Sequence, residues 1–219
     1  MAVKRICGID EAGRGPVVGP LVVAGVVFRE DQVEKLRVIG VRDSKQLTPR
    51  KREVLAREIL KICEQYSMVK VEPPVIDRYV FRNRLNLLEA KLFAELISRL
   101  KADVYVVDSA DVNAERFKRT ILNLLGNPNI TLISEHKAES KWLVVAAASI
   151  LAKVNRDLEI KKLEKRYGLE IGSGYPSDPK TIKFLKRFLL QGRKEPIIRE
   201  SWETVKKLRK TLFQGKLPF

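Results

Sequence analysis

The sequence has little cysteine, little histidine and no long apolar run. Its 219 residues include two cysteines, Cys7 and Cys63, and a single histidine, His136. Two cysteines do not make the disulfide framework of a secreted domain, so we expect a reducing cytoplasm. The best apolar candidate, 17–28, falls short of the ~18–20 residues that a membrane-spanning helix needs. Charged residues at positions 4, 5, 10 and 11 leave no apolar core for a signal peptide.

Acidic residues are scarce relative to basic ones. The chain has 27 Asp and Glu against 43 Lys and Arg, which gives a net charge of +16. Such an excess predicts a polyanionic partner, most simply nucleic acid. Residues 151–219 alone hold 18 basic and 8 acidic residues, which favours a binding face over an evenly solvated surface. The apolar fraction of 45% is ordinary for a folded protein and excludes wholesale disorder.

Strand and helix patterns alternate through the first two thirds of the chain. Thr48-Pro49 predicts a helix start, with Thr48 as the cap and proline at the first helical position. Alternating elements predict an α/β core with a mixed sheet, followed by a basic helical tail. The predicted strands are 5–10, 21–28, 67–71, 103–108 and 130–134, and the predicted helices are 49–65, 87–100, 114–125, 140–167, 179–190 and 199–212.

Several acidic residues stand where predicted strands end. Asp10 and Glu11 follow the first strand, Asp108 ends another, and Glu139 comes just before the long helix. Sites in α/β sheets collect beyond strand ends, and carboxylates that share a pocket favour Mg²⁺ or Mn²⁺ among them. Neighbouring strand residues face opposite sides, so Asp10 and Glu11 share one site only if the strand has ended by Glu11. Any single one of these acids is more readily a helix cap or a lysine partner, but four at comparable structural positions favour a shared site.

Five segments occur in a distinctive order along the chain: GIDEAGRGPVVGPLVVAGVVF, VRDSKQL, VVDSADVNAERF, EHKAESKWLVVAAASILAKVNRD and GSGYPSDP. Together they resemble type 2 ribonuclease H (ribonuclease HII) in its archaeal form. The resemblance implies a ribonuclease H-like mixed central sheet flanked by helices, with a small C-terminal helical region. We accordingly expect a catalytic domain over residues 1–170 and a basic, substrate-binding helical region over 171–219.

The resemblance also implies an activity, namely metal-dependent endonucleolytic hydrolysis of RNA in RNA/DNA hybrids and at ribonucleotides embedded in duplex DNA. The products would carry 3′-hydroxyl and 5′-phosphate ends, and the cofactor would be Mg²⁺ or Mn²⁺, as two ions in the reacting complex. By matching motif positions, the catalytic and metal-binding residues would be Asp10, Glu11, Asp108 and Glu139. Matching positions also imply a ribose contact at Gly13, Arg14 and Gly15, sugar stacking by Tyr175, and phosphate contacts by Ser44, Lys45, Ser149 and Lys153.

One position departs from the family pattern, because Glu139 stands where the family has aspartate. The extra methylene lengthens its reach by roughly 1.5 Å, against Mg–O distances of about 2.0–2.1 Å. A hybrid-binding protein with impaired catalysis therefore stays open as an alternative. A DNA nuclease on the same fold is a weaker alternative, against which the ribose-sensing turn argues. Asp157 is a rival fourth ligand, but it stands about 25 Å along the predicted helix, beside basic neighbours that suggest an ion pair.

Further expectations concern His136, protein partners and assembly. A lone histidine near a strand end is more often a structural hydrogen-bond partner, so His136 is left outside the catalytic set. A sliding-clamp contact is expected at the C-terminal tail, where Leu212-Phe213-Gln214 and Leu217-Pro218-Phe219 are candidates. No membrane partner is expected, and a monomer is the default.

Overall fold

The computed structural model describes residues 3–192 and 194–214, with side chains of the last helix as far as residue 212. The five strands described are β1 (Arg5–Ala12), β2 (Leu21–Arg29), β3 (Gln65–Val71), β4 (Val104–Asp108) and β5 (Leu132–Glu135). The helices described are α1 (Val33–Val38), α2 (Pro49–Ile62), α3 (Pro73–Val80), α4 (Leu85–Arg99), α5 (Ala114–Leu125), α6 (Ala138–Lys141), α7 (Leu143–Tyr167), α8 (Pro179–Leu190) and α9 (Glu203–Gln214).

The strands form one mixed sheet in the order β3-β2-β1-β4-β5. β1 pairs antiparallel with β2 and parallel with β4, and β4 pairs parallel with β5. β2 is buried on both faces, which explains why its sequence is a nearly continuous apolar run, rich in valine, and does not alternate with polar residues. The predicted α/β class with a mixed sheet is therefore confirmed.

β1 is longer than predicted. Its antiparallel register with β2 runs on to Ala12, with Asp10 opposite Ala24 and Glu11 opposite Val23. The expectation that the strand ends before Glu11 is wrong, because the ladder with the long β2 continues through both acids. Asp10 is buried and Glu11 half-buried, in keeping with side chains that leave a strand on alternate faces.

Two predicted helices differ in extent in the structure. α2 starts where predicted, with the Thr48 hydroxyl accepting a hydrogen bond from the Lys51 amide, but it ends at Ile62. The predicted helix 140–167 is two helices, because Trp142 has extended backbone between α6 and α7. Glu139 consequently lies inside the short α6.

The described chain divides into two compact units. The first comprises the chain up to Ala12, Val22–Lys70 and Leu85–Asn155, and the second comprises Gly13–Leu21, Val71–Arg84 and the chain from Arg156 onward. The first unit contains the whole sheet, and its core packs the alanine- and valine-rich start of α7 beneath the strands. The second has its own core, built around α8 and the segments at Val17 and Ile197. No helix among the described residues is long and apolar enough to cross a membrane.

Candidate active site

The ends of β1 and β4 bring together two carboxylates of the first unit, one buried and one half-buried. The parallel register aligns Ile6 with Val104 and continues to Ile9 with Val107. Asp10 and Asp108 are the next residues on each strand. Parallel neighbours end at the same edge of a sheet, so the two acids stand side by side there.

Asp10 is buried, Asp108 is half-buried, and both lie close to other negative charges. Burial raises the pKa of Asp10 well above its ordinary value, and the charges of Glu11 and Asp108 raise it further against opposing contributions from Ser149 and Lys153. Burial also raises the pKa of Asp108, although the Ala138 amide donates a hydrogen bond to its Oδ1 at 3.1 Å. Each carboxylate disfavours ionisation of the next, and a bound cation would relieve that repulsion.

Glu139 has a different environment, dominated by hydroxyl groups and lysines. Its Oε2 accepts hydrogen bonds from Ser44 Oγ at 2.7 Å and Ser149 Oγ at 2.8 Å, with Lys153 Nζ at 3.5 Å. Its Oε1 pairs with the ammonium group of Lys45. Burial alone would raise the pKa of Glu139, but the two lysines and the two hydroxyls bring it down to about 2.

Two separate elements supply the partners of Glu139. Ser44 and Lys45 lie in a 3₁₀ turn, Ser44–Gln46, where the Asp43 carboxylate accepts a hydrogen bond from the Lys45 amide at 2.9 Å. Ser149 and Lys153 lie one turn apart on α7, and Lys153 donates to Ser149 Oγ at 2.8 Å and also to Ser44 Oγ. The four side chains that the resemblance implies as phosphate contacts thus converge on Glu139.

The peptide between β5 and α6 has a strained conformation. Lys137 has φ +55°, a left-handed conformation that is uncommon for residues other than glycine. This turn leads into Ala138, whose amide donates to Asp108, so the strain is compensated by a hydrogen bond to that half-buried acid. His136, at the start of the same turn, is exposed.

The donor chemistry of the acidic group suits a hard divalent cation, because all the donors are carboxylate oxygens. Within the described part of the chain, no three acidic, histidine or cysteine side chains stand close enough to one another to hold an ion. Glu139 is engaged by lysines, which supply positive charge at that end of the group. The carboxylates fit a metal in kind, and their side chains would have to rotate to surround one.

The ribose-contact residues implied by the resemblance lie in the second unit. Tyr175 is 39% exposed, and the guanidinium of Arg156 lies 5.0 Å from the centre of its ring. Arg156 also donates to the Ser173 carbonyl at 2.6 Å, which holds the loop that carries Tyr175. Its Nη1 lies 3.6 Å from the Asp157 carboxylate, as expected from the basic neighbours of that acid.

Sequence reasoning missed two residues that contact the Gly13–Gly15 turn. The buried Arg199 and the neighbouring Trp202 both donate to carbonyls of this turn. Arg199 follows the apolar pair Ile197-Ile198, which is a weak signal of burial. Local sequence could not show which carbonyls its guanidinium would reach.

The chain is similar to known nucleases over most of its length. The family model described as Ribonuclease HII matches residues 7–205. A ribonuclease HII from Pyrococcus furiosus is 50% identical over 211 residues, which is 95% of this chain and 92% of that protein. The crystal structure of the ribonuclease H2 from Pyrococcus horikoshii OT3 has a TM-score of 0.87 at 46% identity, covering 96% of this chain and 99% of that one.

A second solved relative is described as the PCNA:RNase HII complex from Archaeoglobus fulgidus. Its matching chain has a TM-score of 0.83 at 44% identity, with 93% of this chain and 96% of that chain covered. These likenesses confirm the ribonuclease H-like fold expected from the sequence.

Proposed function

Since the chain belongs to the ribonuclease HII family and is therefore a hydrolytic endoribonuclease of RNA/DNA hybrids, we propose that it also cuts at ribonucleotides embedded in duplex DNA. The products would carry 3′-hydroxyl and 5′-phosphate ends. The observation that carries the proposal is a pair of acids at adjacent ends of parallel strands, the buried Asp10 and the half-buried Asp108, whose pKa values are both raised by desolvation. Buried like charges are destabilising, and functional sites are where proteins retain them.

Asp10, Glu11 and Asp108 are proposed to hold the divalent cation, with Glu139 as a fourth ligand. Although β1 continues through Glu11, the charge of Glu11 acts on Asp10 and raises its pKa, which supports placing both acids in one site. Bound there as two ions, Mg²⁺ or Mn²⁺ would activate water and stabilise the leaving oxygen at phosphorus. Metal dependence is a general property of the family. The present partners of Glu139 imply that Lys45 and Lys153 must release it before it can coordinate a metal.

Lys45 and Lys153 are proposed to exchange a carboxylate partner for a phosphate of the substrate. The Lys45 side chain is 70% exposed although it is paired with Glu139, so its ammonium group is accessible to a duplex backbone. Ser44 and Ser149 are proposed as further phosphate contacts, and their buried hydroxyls now donate to Glu139 Oε2. Phosphate contacts of this kind position a duplex without reading its sequence.

The Gly13–Gly15 turn is proposed to contact the ribose 2′-hydroxyl, with Tyr175 stacking on the next sugar. Glycines allow a backbone to approach a sugar closely, and a hydroxyl both donates and accepts hydrogen bonds. The exposed ring of Tyr175 is held by Arg156, which reduces the ordering that stacking requires. The basic region 171–219 is proposed to bind the duplex backbone.

One cleavage assay tests the proposal. A duplex with a single ribonucleotide and a matched all-DNA duplex are incubated with the protein in Mg²⁺ or in Mn²⁺. We expect cutting only at the ribonucleotide, and Asp10→Asn or Asp108→Asn should abolish it while leaving duplex binding largely intact. Asp31→Asn, which changes an exposed aspartate paired with Arg29, is the matched control. Full activity in either active-site variant would refute the assignment.

The alternative of a binding protein with impaired catalysis is not favoured by the family membership. Glu139 keeps the negative charge of the family aspartate and is buried among four hydrogen-bond donors. Glu139→Asp in the same assay measures what the extra methylene changes. We expect the wild-type protein to cleave in at least one of the two metals. If the wild-type protein cleaves in neither metal and Glu139→Asp does cleave, the alternative of a binding protein with impaired catalysis would be restored.

A sliding clamp is proposed as a protein partner, because the Archaeoglobus fulgidus relative is solved as a PCNA complex. The proposed contact is the C-terminal tail, of which Leu217–Phe219 and the side chains of Phe213 and Gln214 lie outside the described residues. We propose a monomer in the reducing cytoplasm, where Cys7 and Cys63 would remain the free thiols that the structure shows.

A further inference from the structure

Arg199 is a fully buried arginine that binds backbone carbonyls of the Gly13–Gly15 turn. Its Nη2 donates to the Gly13 carbonyl at 2.6 Å, and its Nη1 donates to the Arg14 carbonyl at 3.1 Å. Its Nε and Nη2 donate to the Gly19 carbonyl at 3.0 Å and 2.9 Å, so one guanidinium closes the loop from both ends. The side chain is 0% exposed, and all these contacts lie within the second unit.

Trp202 holds the third carbonyl of the turn. Its Nε1 donates to the Gly15 carbonyl at 3.1 Å, and the guanidinium of Arg199 lies 4.8 Å from the centre of its ring. Three consecutive carbonyls are therefore bound by two side chains that also stack on each other. Hydrogen bonds from a charged donor are roughly twice as strong as neutral ones, so Arg199 dominates this arrangement.

Holding the carbonyls also fixes the amides. The described peptide bonds are trans, and in a trans peptide the C=O and the following N–H point in opposite directions. Fixing the carbonyls of Gly13 and Arg14 therefore directs the amides of Arg14 and Gly15 away from the guanidinium. Pro16 follows and has no amide hydrogen, so the turn presents these two donors on the side opposite Arg199.

The segment that carries Arg199 is itself anchored. The Arg199 amide donates to the Val17 carbonyl at 2.9 Å. The buried Asp77 carboxylate accepts from the amides of Glu200 at 2.9 Å and Ser201 at 3.1 Å, and from the Ser201 hydroxyl. The guanidinium is therefore fixed at its base as well as at its tip, which is what a positioning role requires.

We propose that Arg199 is a positioning residue for ribose selection. It holds the Gly13–Gly15 backbone so that the amides of Arg14 and Gly15 meet the oxygen of a ribose 2′-hydroxyl. The inference rests on the proposed function of this turn. Lysine cannot substitute, because a single ammonium group lacks the planar fork that spans three carbonyls.

The test measures a preference rather than an affinity. In an Asp108→Asn background, which is expected to bind without cutting, fluorescence anisotropy gives the Kd for a duplex with one ribonucleotide and for the matched all-DNA duplex. We expect Arg199→Lys to lower the ratio of these two affinities by up to about tenfold, the scale of one or two hydrogen bonds. The affinity for all-DNA duplex should stay unchanged.

Two further variants keep the test decisive. Trp202→Phe removes only the bond to the Gly15 carbonyl and keeps a ring for Arg199, so it should lower the ratio less, by about threefold. If thermal melting shows that Arg199→Lys does not fold, the affinity ratio of Trp202→Phe decides whether the turn must be held for ribose selection. Arg209→Lys, which changes an arginine paired with Glu200 at 2.6 Å on the same segment, is the matched control and should keep the ratio.

Three outcomes would overturn the inference. An unchanged ratio in folded Arg199→Lys and Trp202→Phe removes the role of Arg199 while leaving the proposed function intact. An equal loss of affinity for both duplexes shows that Arg199 supports only the fold. A background protein that does not itself prefer the ribonucleotide refutes the ribose contact, and the inference fails with it.

Discussion

Gly8 lies where β1 passes beneath the first turn of α7, and replacing it with alanine should push the helix off the sheet. A Cβ at Gly8 would stand 2.2 Å from the carbonyl carbon and oxygen of Val144 and 2.5 Å from the Val145 amide nitrogen. Ordinary contact begins at 3.4 Å. The first turn of α7 would therefore have to retreat by about 1.2 Å, since the obstructing atoms are backbone and no rotamer relieves them.

This displacement sets the expected magnitudes. Overpacked cores lose about 1–3 kcal/mol, and Gly8→Ala belongs at the upper end because a helix rather than a side chain must move. For a chain of this length, that corresponds to a fall in Tm of roughly 6–12 °C. α7 carries Ser149 and Lys153, and a misplacement near 1 Å at a catalytic site reduces turnover by about 100-fold.

Urea unfolding and single-turnover cleavage, at a temperature where both proteins are folded, measure the two effects. Gly25→Ala is the matched control, because its Cβ would meet only the tip of the Leu100 side chain at 2.6 Å, which can rotate away. The control should lose about 1 kcal/mol or less and keep its activity. A Gly8→Ala protein as stable and as active as the control would show that α7 does not approach β1 as described.

Three other predictions concern the acidic residues and one helix cap. Asp10→Asn should raise the free energy of unfolding at pH 7 in EDTA by about 0.5–2 kcal/mol. Because the pKa of Asp10 is raised in the folded protein, its ionised form is destabilising above that pKa. In melting curves, the stability advantage of Asp10→Asn over the wild type should therefore vanish as acid protonates wild-type Asp10. A Tm at pH 7 that is lower for Asp10→Asn than for the wild type would contradict this. For the same reason, the affinity for Mg²⁺ or Mn²⁺ should rise with pH, because binding the cation releases a proton. Isothermal titration calorimetry should detect this proton release, and Asp10→Asn should diminish it. Binding heats that do not depend on the ionisation enthalpy of the buffer would count against proton release. Thr48→Ala should cost about 1 kcal/mol in urea unfolding without changing cleavage, whereas Thr48→Ser should be nearly neutral.

The acidic pair was predictable from sequence because it depends on local pattern. An apolar run that ends in an acid identifies Asp10 and Asp108 as strand-end residues, and parallel pairing then brings them together. The surroundings of Glu139 were not predictable in the same way. Ser44 reaches it across 95 positions of sequence, and only the tertiary fold brings the two together.

Helix boundaries failed where tertiary contacts override the local pattern. The predicted helix at 199 begins instead at Glu203, because Ile198 forms a β-bridge with Val18 and the Arg199 amide donates to the Val17 carbonyl. Trp142 has extended backbone and separates α6 from α7, although the apolar periodicity of the predicted helix continues past it. α3 was missed because Pro73 and Pro74 look like helix breakers, although proline is tolerated in a first helical turn.

The hydrogen bonds from Arg199 and Trp202 to the Gly13–Gly15 turn join residues 185–187 positions apart, and this gives the protein an order of completion during synthesis. All four acids have been synthesised once Glu139 is added. The side chains that hold the turn are added some sixty residues later. A nascent or truncated chain that stops short of Arg199 thus contains every residue proposed for hydrolysis, but it lacks the two side chains that hold the Gly13–Gly15 turn. Discrimination, unlike the acidic centre, is a property of the nearly finished chain.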